Sequence, residues 1–192
     1  GSEMCIRDSG YAFPYSPDLT KDPQVELSFE SSLVRTRQFL DKTGDKTWYL
    51  NECGLPTTPE QTEGISSGVD LRTQADYMAR ELLLALSYGV DEIEVYSMFD
   101  QQNLYHAIMP AEYENNFGLF YQQDYSGRIF PKPSAAAYAN ITRILESVES
   151  CEEISTGSDT VRAFRCGLKK ENEEMPVSYT HLRAHETLAN LV

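Results

Sequence analysis

Basic residues are scarce in this chain. Lys and Arg number 16 against 30 Asp and Glu, a formal net charge of −14. That imbalance argues against nucleic acid and anionic membrane as partners, and it is compatible with neutral ligands such as sugars. No apolar run approaches the ~20 residues of a membrane span. Histidine is rarer still, with three in the whole chain. The four cysteines show no metal-ligand spacing: Cys53, Cys151 and Cys166 are scattered. No glycine-rich phosphate loop opens a helix, so a dinucleotide-binding sheet is not expected. Apolar residues make up 41% and aromatic ones 11%, which is enough for a globular core.

The two ends read as translated DNA of another origin. Met4-Cys5-Ile6-Arg7-Asp8-Ser9 can be encoded by ATG TGT ATA AGA GAC AGN. The reverse complement of that DNA contains GTC TCT TAT ACA CAT, which translates as Val177-Ser178-Tyr179-Thr180-His181. The DNA resembles a transposase adapter of sequencing libraries, and Leu182 to Thr187 looks like its continuation. Residues 1–9 and 177–192 are therefore set aside as adapter-derived. This disposes of His181 and His185, whose i, i+4 spacing beside Glu186 would otherwise suggest a metal site. His106 is then the only native histidine, so neither a His-based metal site nor a Ser-His-Asp triad is expected. The native N-terminus lies upstream on this reading, so the chain carries no information on export; secretion or a cell-envelope location is compatible with it.

The remaining chain is organised around Trp48-Tyr49-Leu50-Asn51-Glu52-Cys53-Gly54. Gly44-Asp45-Lys46 signals a turn before it, and Leu55-Pro56-Thr57-Thr58-Pro59 can continue neither strand nor helix. The stretch reads as an apolar strand ending on a carboxylate and then a glycine. A carboxylate at the C-terminal tip of a buried parallel strand is where α/β barrels keep catalytic groups. On the local pattern alone, Glu52 reads equally well as a strand end facing solvent or capping the next loop. Cys53 reads as a small apolar packing residue, because no histidine base is near it in sequence.

Tyr11, Phe13 and Tyr15 cluster at the tip of an earlier strand that runs into a proline-broken loop. The periodicity predicts helices over 24–42, 73–88 and 134–149, with Asp70 or Thr73 capping the second and Pro133 opening the third. A strand over 90–100 ends on Asp100, and mid-strand Glu94 would need a partner if both faces were buried. The long loops 53–72 and 101–131 suit functional segments, and the second is rich in aromatic and amide side chains that suit sugar rings. After Cys151 the pattern alternates over 159–167 as a strand. The order strand, helix, strand, helix, strand, helix, strand implies an α/β fold with a parallel sheet.

Taken together, these residues resemble the last quarter of a clan A glycoside hydrolase (β/α)8 barrel. Asn51-Glu52-Cys53-Gly54 is similar to the end of that clan's seventh strand, where the Glu is the retaining nucleophile. Leu55-Pro56-Thr57, Gln74-Ala75-Asp76-Tyr77, Tyr88-Gly89-Val90-Asp91, Phe117-Gly118-Leu119 and Lys132-Pro133-Ser134-Ala135-Ala136-Ala137-Tyr138 complete the likeness, over residues 11–148. It implies barrel strands from the end of the sixth to the eighth in 10–150, and the start of a β-rich accessory domain in 151–176. It implies O-glycosidic hydrolysis of β-linked sugars, a carbohydrate substrate and no cofactor. The family often has His-x-Tyr-Pro where this chain has Tyr11-Ala12-Phe13-Pro14, leaving Tyr11 as the hydroxyl beside the nucleophile. It often has a tryptophan under the sugar from strand eight, a place that Tyr96 or Phe99 would take here. Asp100 would bind a sugar hydroxyl or orient a loop. The acid/base belongs to strand four of such barrels, upstream of residue 10, so the piece alone is expected to be inactive and poorly stable. A barrel that binds carbohydrate without hydrolysis, or a purely structural one, fits the same residues. Oligomeric state is not addressed by the sequence.

Overall fold

A computed structural model describes residues 6–10, 15–24, 28–44, 46–57, 68–101, 115–122, 126–158, 161–169 and 174–180. The chain is mixed α/β. Strands β1 (Ile6–Gly10), β2 (Trp48–Cys53) and β3 (Glu92–Val95) form a parallel sheet in chain order. Helix α1 (Phe29–Thr43) joins the first two strands, α2 (Leu71–Ser87) joins the next two, and α3 (Pro133–Leu145) follows β3. No reversal of strand order, the place where doubly wound sheets bind ligands, occurs among these strands.

The helices share one face of the sheet. Trp48, Leu50 and Cys53 of β2 pack with Phe29, Leu33 and Leu40 of α1 and with Leu83, Leu84 and Ala85 of α2. Ile93 and Val95 of β3 bridge this cluster to a second one of Met78, Leu82, Leu119 and Ile141. Two crossovers of one hand that step in one direction put both helices on the same side. The ends of the elements are set locally. Asp70 caps α2 by accepting from the Arg72 and Thr73 N–H groups at 2.9 and 2.8 Å, which satisfies donors that the first turn leaves open. Gly89, at φ +83°, turns the chain out of α2 in a conformation that disfavours a side chain. Asp91 accepts from the Trp48 N–H at 2.7 Å and its own N–H donates to the Trp48 carbonyl at 3.0 Å, aligning the starts of β2 and β3.

A second, antiparallel sheet is made by β4 (Val148–Ile154), β5 (Val161–Leu168) and β6 (Glu174–Thr180). Its Val148, Phe164, Cys166 and Val177 belong to the same buried cluster as Trp48 and Leu83, so it shares its core with the parallel sheet. Charge ties the seam between them. The Arg162 guanidinium donates to both Glu30 oxygens at 2.6 and 2.7 Å and to both Glu153 oxygens at 2.8 and 2.6 Å. Lys21 reaches Glu153 at 2.7 Å, the Tyr88 hydroxyl donates to Glu30 at 2.9 Å, and Arg80 pairs with Asp18.

Several expectations change. The third helix ends at Leu145 rather than 149, and Val148 starts β4. Apolar spacing runs on past residue 145, but the Lys169 N–H donates to the Ser147 carbonyl and the Lys169 ammonium to the Glu146 carbonyl, both at 2.8 Å. Pairing with the end of β5 thus overrides the helical pattern, and the boundary drawn at residue 150 falls inside β4. The first helix starts at Phe29 rather than 24. Cys151 and Cys166 are not merely scattered: they face each other across β4 and β5 and form a disulfide. Ile6 to Ser9 and Val177 to Thr180, set aside above, lie in β1 and β6. Strand pairing is made by backbone groups that any non-proline residue supplies; Val177 in addition gives its side chain to the buried cluster.

Candidate active site

Strict alternation along β2 would put residue 52 on the same face as Trp48 and Leu50, against the helices and inside the core. The register shows why it is not there. Asp8 pairs with Leu50 and the next residue, Ser9, pairs with Glu52. On the other side Leu50 pairs with Ile93, and Cys53 pairs with Val95. β2 therefore carries one extra residue relative to both neighbours, a bulge at Asn51 and Glu52. A bulge of this kind changes the phase of the pleat and re-aims the side chains after it. Cys53 takes the buried, helix-facing slot, fully out of solvent, while Glu52 is exposed. Glu52 thus sits next to the C-terminal end of the central strand, on the face without helices; half-buried Tyr49 nearer the start of β2 and exposed Glu92 and Glu94 of β3 share that face. Glu94 needs no buried partner because that face is open.

The residues behind Glu52 keep the strand end apolar. Burial pushes the Cys53 thiol well up, and the nearby Glu81 carboxylate adds to this; burial likewise pushes the Glu81 carboxyl well up. A thiol held protonated is a packing group, as its neighbourhood in sequence suggests. Gly54 follows directly. The Tyr96 carbonyl occupies the space that a Cβ on Gly54 would take, and the Tyr96 N–H donates to the Cys53 carbonyl at 2.8 Å. The ends of β2 and β3 are clipped together at a point where only glycine fits.

Beyond the strand ends, three loop segments are joined by buried polar groups. Gln74, fully buried at the start of α2, donates to the Leu55 carbonyl at 2.7 Å and accepts from the Ser134 hydroxyl at 2.7 Å. The Thr57 N–H donates to the Asn116 carbonyl at 2.9 Å. Asp100 is buried and accepts from the Gly118 N–H at 2.9 Å and from the Lys132 ammonium at 2.6 Å. Both contacts fall on Asp100 Oδ1 and join the segment after β3 to the loops that carry Gly118 and Lys132. Tyr96 is half-buried, its ring edge-on to Phe117 at 5.4 Å and its hydroxyl accepting from the Gln101 amide at 2.6 Å. Phe99 is partly exposed against Phe120 at 5.7 Å. Met98, Tyr121, Ile129 and Phe130 are exposed as well, and the Tyr121 N–H donates to the Phe130 carbonyl at 2.9 Å. Tyr11 lies outside the described residues, as do Tyr105 and Tyr113 of the long loop.

Sequence reasoning missed Lys132, Thr57 and Gln74 as partners of the loop network. The Lys-Pro-Ser and Gln-Ala-Asp-Tyr motifs marked two of them, but as resemblance rather than as contacts. Among the described residues no cluster of His, Cys, Asp and Glu could hold a metal ion, and no helix is long and apolar enough to cross a membrane.

No protein-family profile matches the chain, and no curated protein does. Among solved structures it is similar to a GH113 β-1,4-mannanase in a complex, with 16% identity and a TM-score of 0.38 over 72% of this chain. It is also similar to a β-glucuronidase of Faecalibacterium prausnitzii, with 18% identity and a TM-score of 0.42 over 73% of this chain. The chain covers 38% and 21% of those two structures, and both are glycoside hydrolases.

Proposed function

We propose that the chain is the C-terminal part of a retaining glycoside hydrolase barrel and that Glu52 is its nucleophile. The observation that carries the reading is the bulge in β2, which takes a carboxylate off the core face and presents it at the C-terminal end of the central parallel strand. In a closed barrel the helix-free face is the interior, and the C-terminal ends of its strands carry the chemistry. On this reading Glu52 attacks the anomeric carbon and forms a glycosyl-enzyme while a second carboxylic acid protonates the leaving oxygen. The same group then takes a proton from the water that releases the sugar. That second group belongs to an earlier strand of a longer chain, as the family resemblance implies. Tyr96 and Phe99 supply the apolar surface beside the sugar, and Tyr11 a hydroxyl near Glu52. The adapter origin of residues 1–9 and 177–192 remains part of the proposal; the intact gene tests it.

The test is made in the longer protein that includes the earlier strands, with aryl β-glycosides of glucose, mannose and glucuronate as probes. Glu52→Gln should lower turnover by about 10⁴-fold or more, the scale for losing a nucleophile. Glu52→Gly should regain activity with azide on a substrate with a good leaving group, giving a product inverted at the anomeric carbon, since only one displacement then occurs. Full hydrolysis by Glu52→Gln rejects the assignment. Binding of oligosaccharide without hydrolysis by the unaltered protein would favour a carbohydrate-binding barrel instead.

A further inference from the structure

The side chain of Lys132 is wholly buried, although Lys132 is the N-cap residue of α3 and could have reached solvent. Its ammonium donates to Asp100 Oδ1 at 2.6 Å, to Thr57 Oγ1 at 2.9 Å and to the Asn116 carbonyl at 3.2 Å. An ammonium has three protons and no acceptor, so three acceptors from three segments use it fully. Thr57 lies on the loop that leaves Glu52 through Gly54, Asp100 follows β3, and Asn116 precedes the Phe117-Gly118-Leu119 segment that pairs with 97–100. Asp100 Oδ1 is also the acceptor for the Gly118 N–H. Replacing both members of a buried ion pair by packed apolar groups of similar volume is often neutral or stabilising. Net stability therefore does not account for the Lys132–Asp100 pair. Its geometry does: one fixed tetrahedral donor sets three loops at one spacing, and nothing apolar has that directionality.

We propose that Lys132, with Asp100, is a positioning residue for Glu52, acting through Thr57 and the Asn116 carbonyl on the loop that closes the end of β2. The proposal rests on the reading of Glu52 as the nucleophile for its consequence, but not for its geometry. It has two arms for that reason. The first uses the 192-residue chain and amide hydrogen exchange. Lys132→Met should speed exchange in peptides covering 53–57 and 115–120 by about tenfold or more, as local opening permits. Exchange over 82–86 and over β4 and β5 should stay the same. Lys132→Ala should show the same local loss, and propylammonium should restore protection where sodium at equal ionic strength does not. If Lys132→Met does not fold, the Asp100→Asn/Lys132→Met pair, which leaves no buried charge behind, gives the same readout. Acceleration spread evenly over the chain, or no acceleration at the two loops, overturns the proposal. The second arm uses the longer enzyme. Lys132→Met should lower kcat by about tenfold or more and leave KM within about twofold, because small misplacement of a reacting group costs rate. An unchanged kcat overturns the positioning role, whereas full activity of Glu52→Gln overturns the nucleophile and leaves the exchange result standing.

Discussion

Two clusters of buried charge among the described residues are built differently. At the seam between the sheets, Glu30, Glu153 and Asp18 face Arg162, Lys21 and Arg80, and Glu30 alone meets Arg162, Lys21 and Tyr88. The cluster borders a cavity of about 490 Å³ lined in part by Thr20, Ser155 and Thr156. At the mouth of the parallel sheet, a single ammonium and a single carboxylate meet, and a hydroxyl, a carbonyl and a backbone N–H, all neutral, bond to them. The seam joins elements far apart in the chain, with residue 30 bound to residue 162, so its failure should be felt throughout the fold. The mouth joins loops at one end of one sheet, so its failure should stay near Glu52. Matched charges are used to hold surfaces together, and one directed charge is used to hold a site in shape.

The comparison breaks most clearly at Glu30. Its side chain is fully buried, and Glu30→Ala removes the more buried of the two carboxylates that Arg162 grips, leaving it Glu153, and takes the acceptor from the Tyr88 hydroxyl. Loss of one member of a buried pair costs about 3–5 kcal/mol, so urea denaturation should show a large drop in midpoint, with β4 and β5 losing exchange protection together with α1. A drop confined to one sheet would mean that the two do not share a core in solution. At the mouth, Gly54→Ala sets a methyl against the Tyr96 carbonyl. Overpacking of this kind costs about 1–3 kcal/mol, and the thermal midpoint should fall by less than in Glu30→Ala. An alanine tolerated without loss would show that β2 and β3 are not clipped there.

Acid sharpens the contrast further. Hydrogen bonds from Arg162 and Lys21 hold the Glu153 carboxyl below its ordinary value of 4.5 even though partial burial pulls the other way. A folded-state value below the unfolded one adds stability that is complete above the ordinary glutamate range. That stability is lost as pH falls through the lower folded value. Glu153→Gln should therefore lower the melting temperature at neutral pH by an amount that vanishes in acid. Melting curves of the two proteins that stay parallel down to low pH would contradict the seam geometry. The smallest effect is expected at Asp70, an exposed cap at the mouth end of α2. Asp70→Ala should cost about 1 kcal/mol and raise exchange only in the first turn of that helix.

The repeating elements of the parallel half were legible in the sequence because each is specified by local period. The spacing of Met78, Leu82 and Ala85 marks α2, and the apolar run from Trp48 marks β2. Glu52 was legible as a strand-tip carboxylate, but its direction was not. A strict two-residue period would have buried it against the helices, and only pairing with β1 and β3 shows the extra residue that turns it to the helix-free face. β4 was hidden because Val148 continues the helical spacing of α3, and the choice between helix and strand there depends on Lys169, more than twenty positions away.

Thus composition and periodicity by themselves determined an acidic α/β chain whose strands alternate with amphipathic helices and one of whose strands ends on a carboxylate followed by glycine. Such features need only neighbours within a turn or two. Tertiary structure alone decided that Arg162 closes on Glu30, that Cys151 meets Cys166, that Lys132 turns inward to three loops, and that Glu52 faces the open side. Each of these depends on backbone register and on burial, and both are set by which distant segments come to lie side by side.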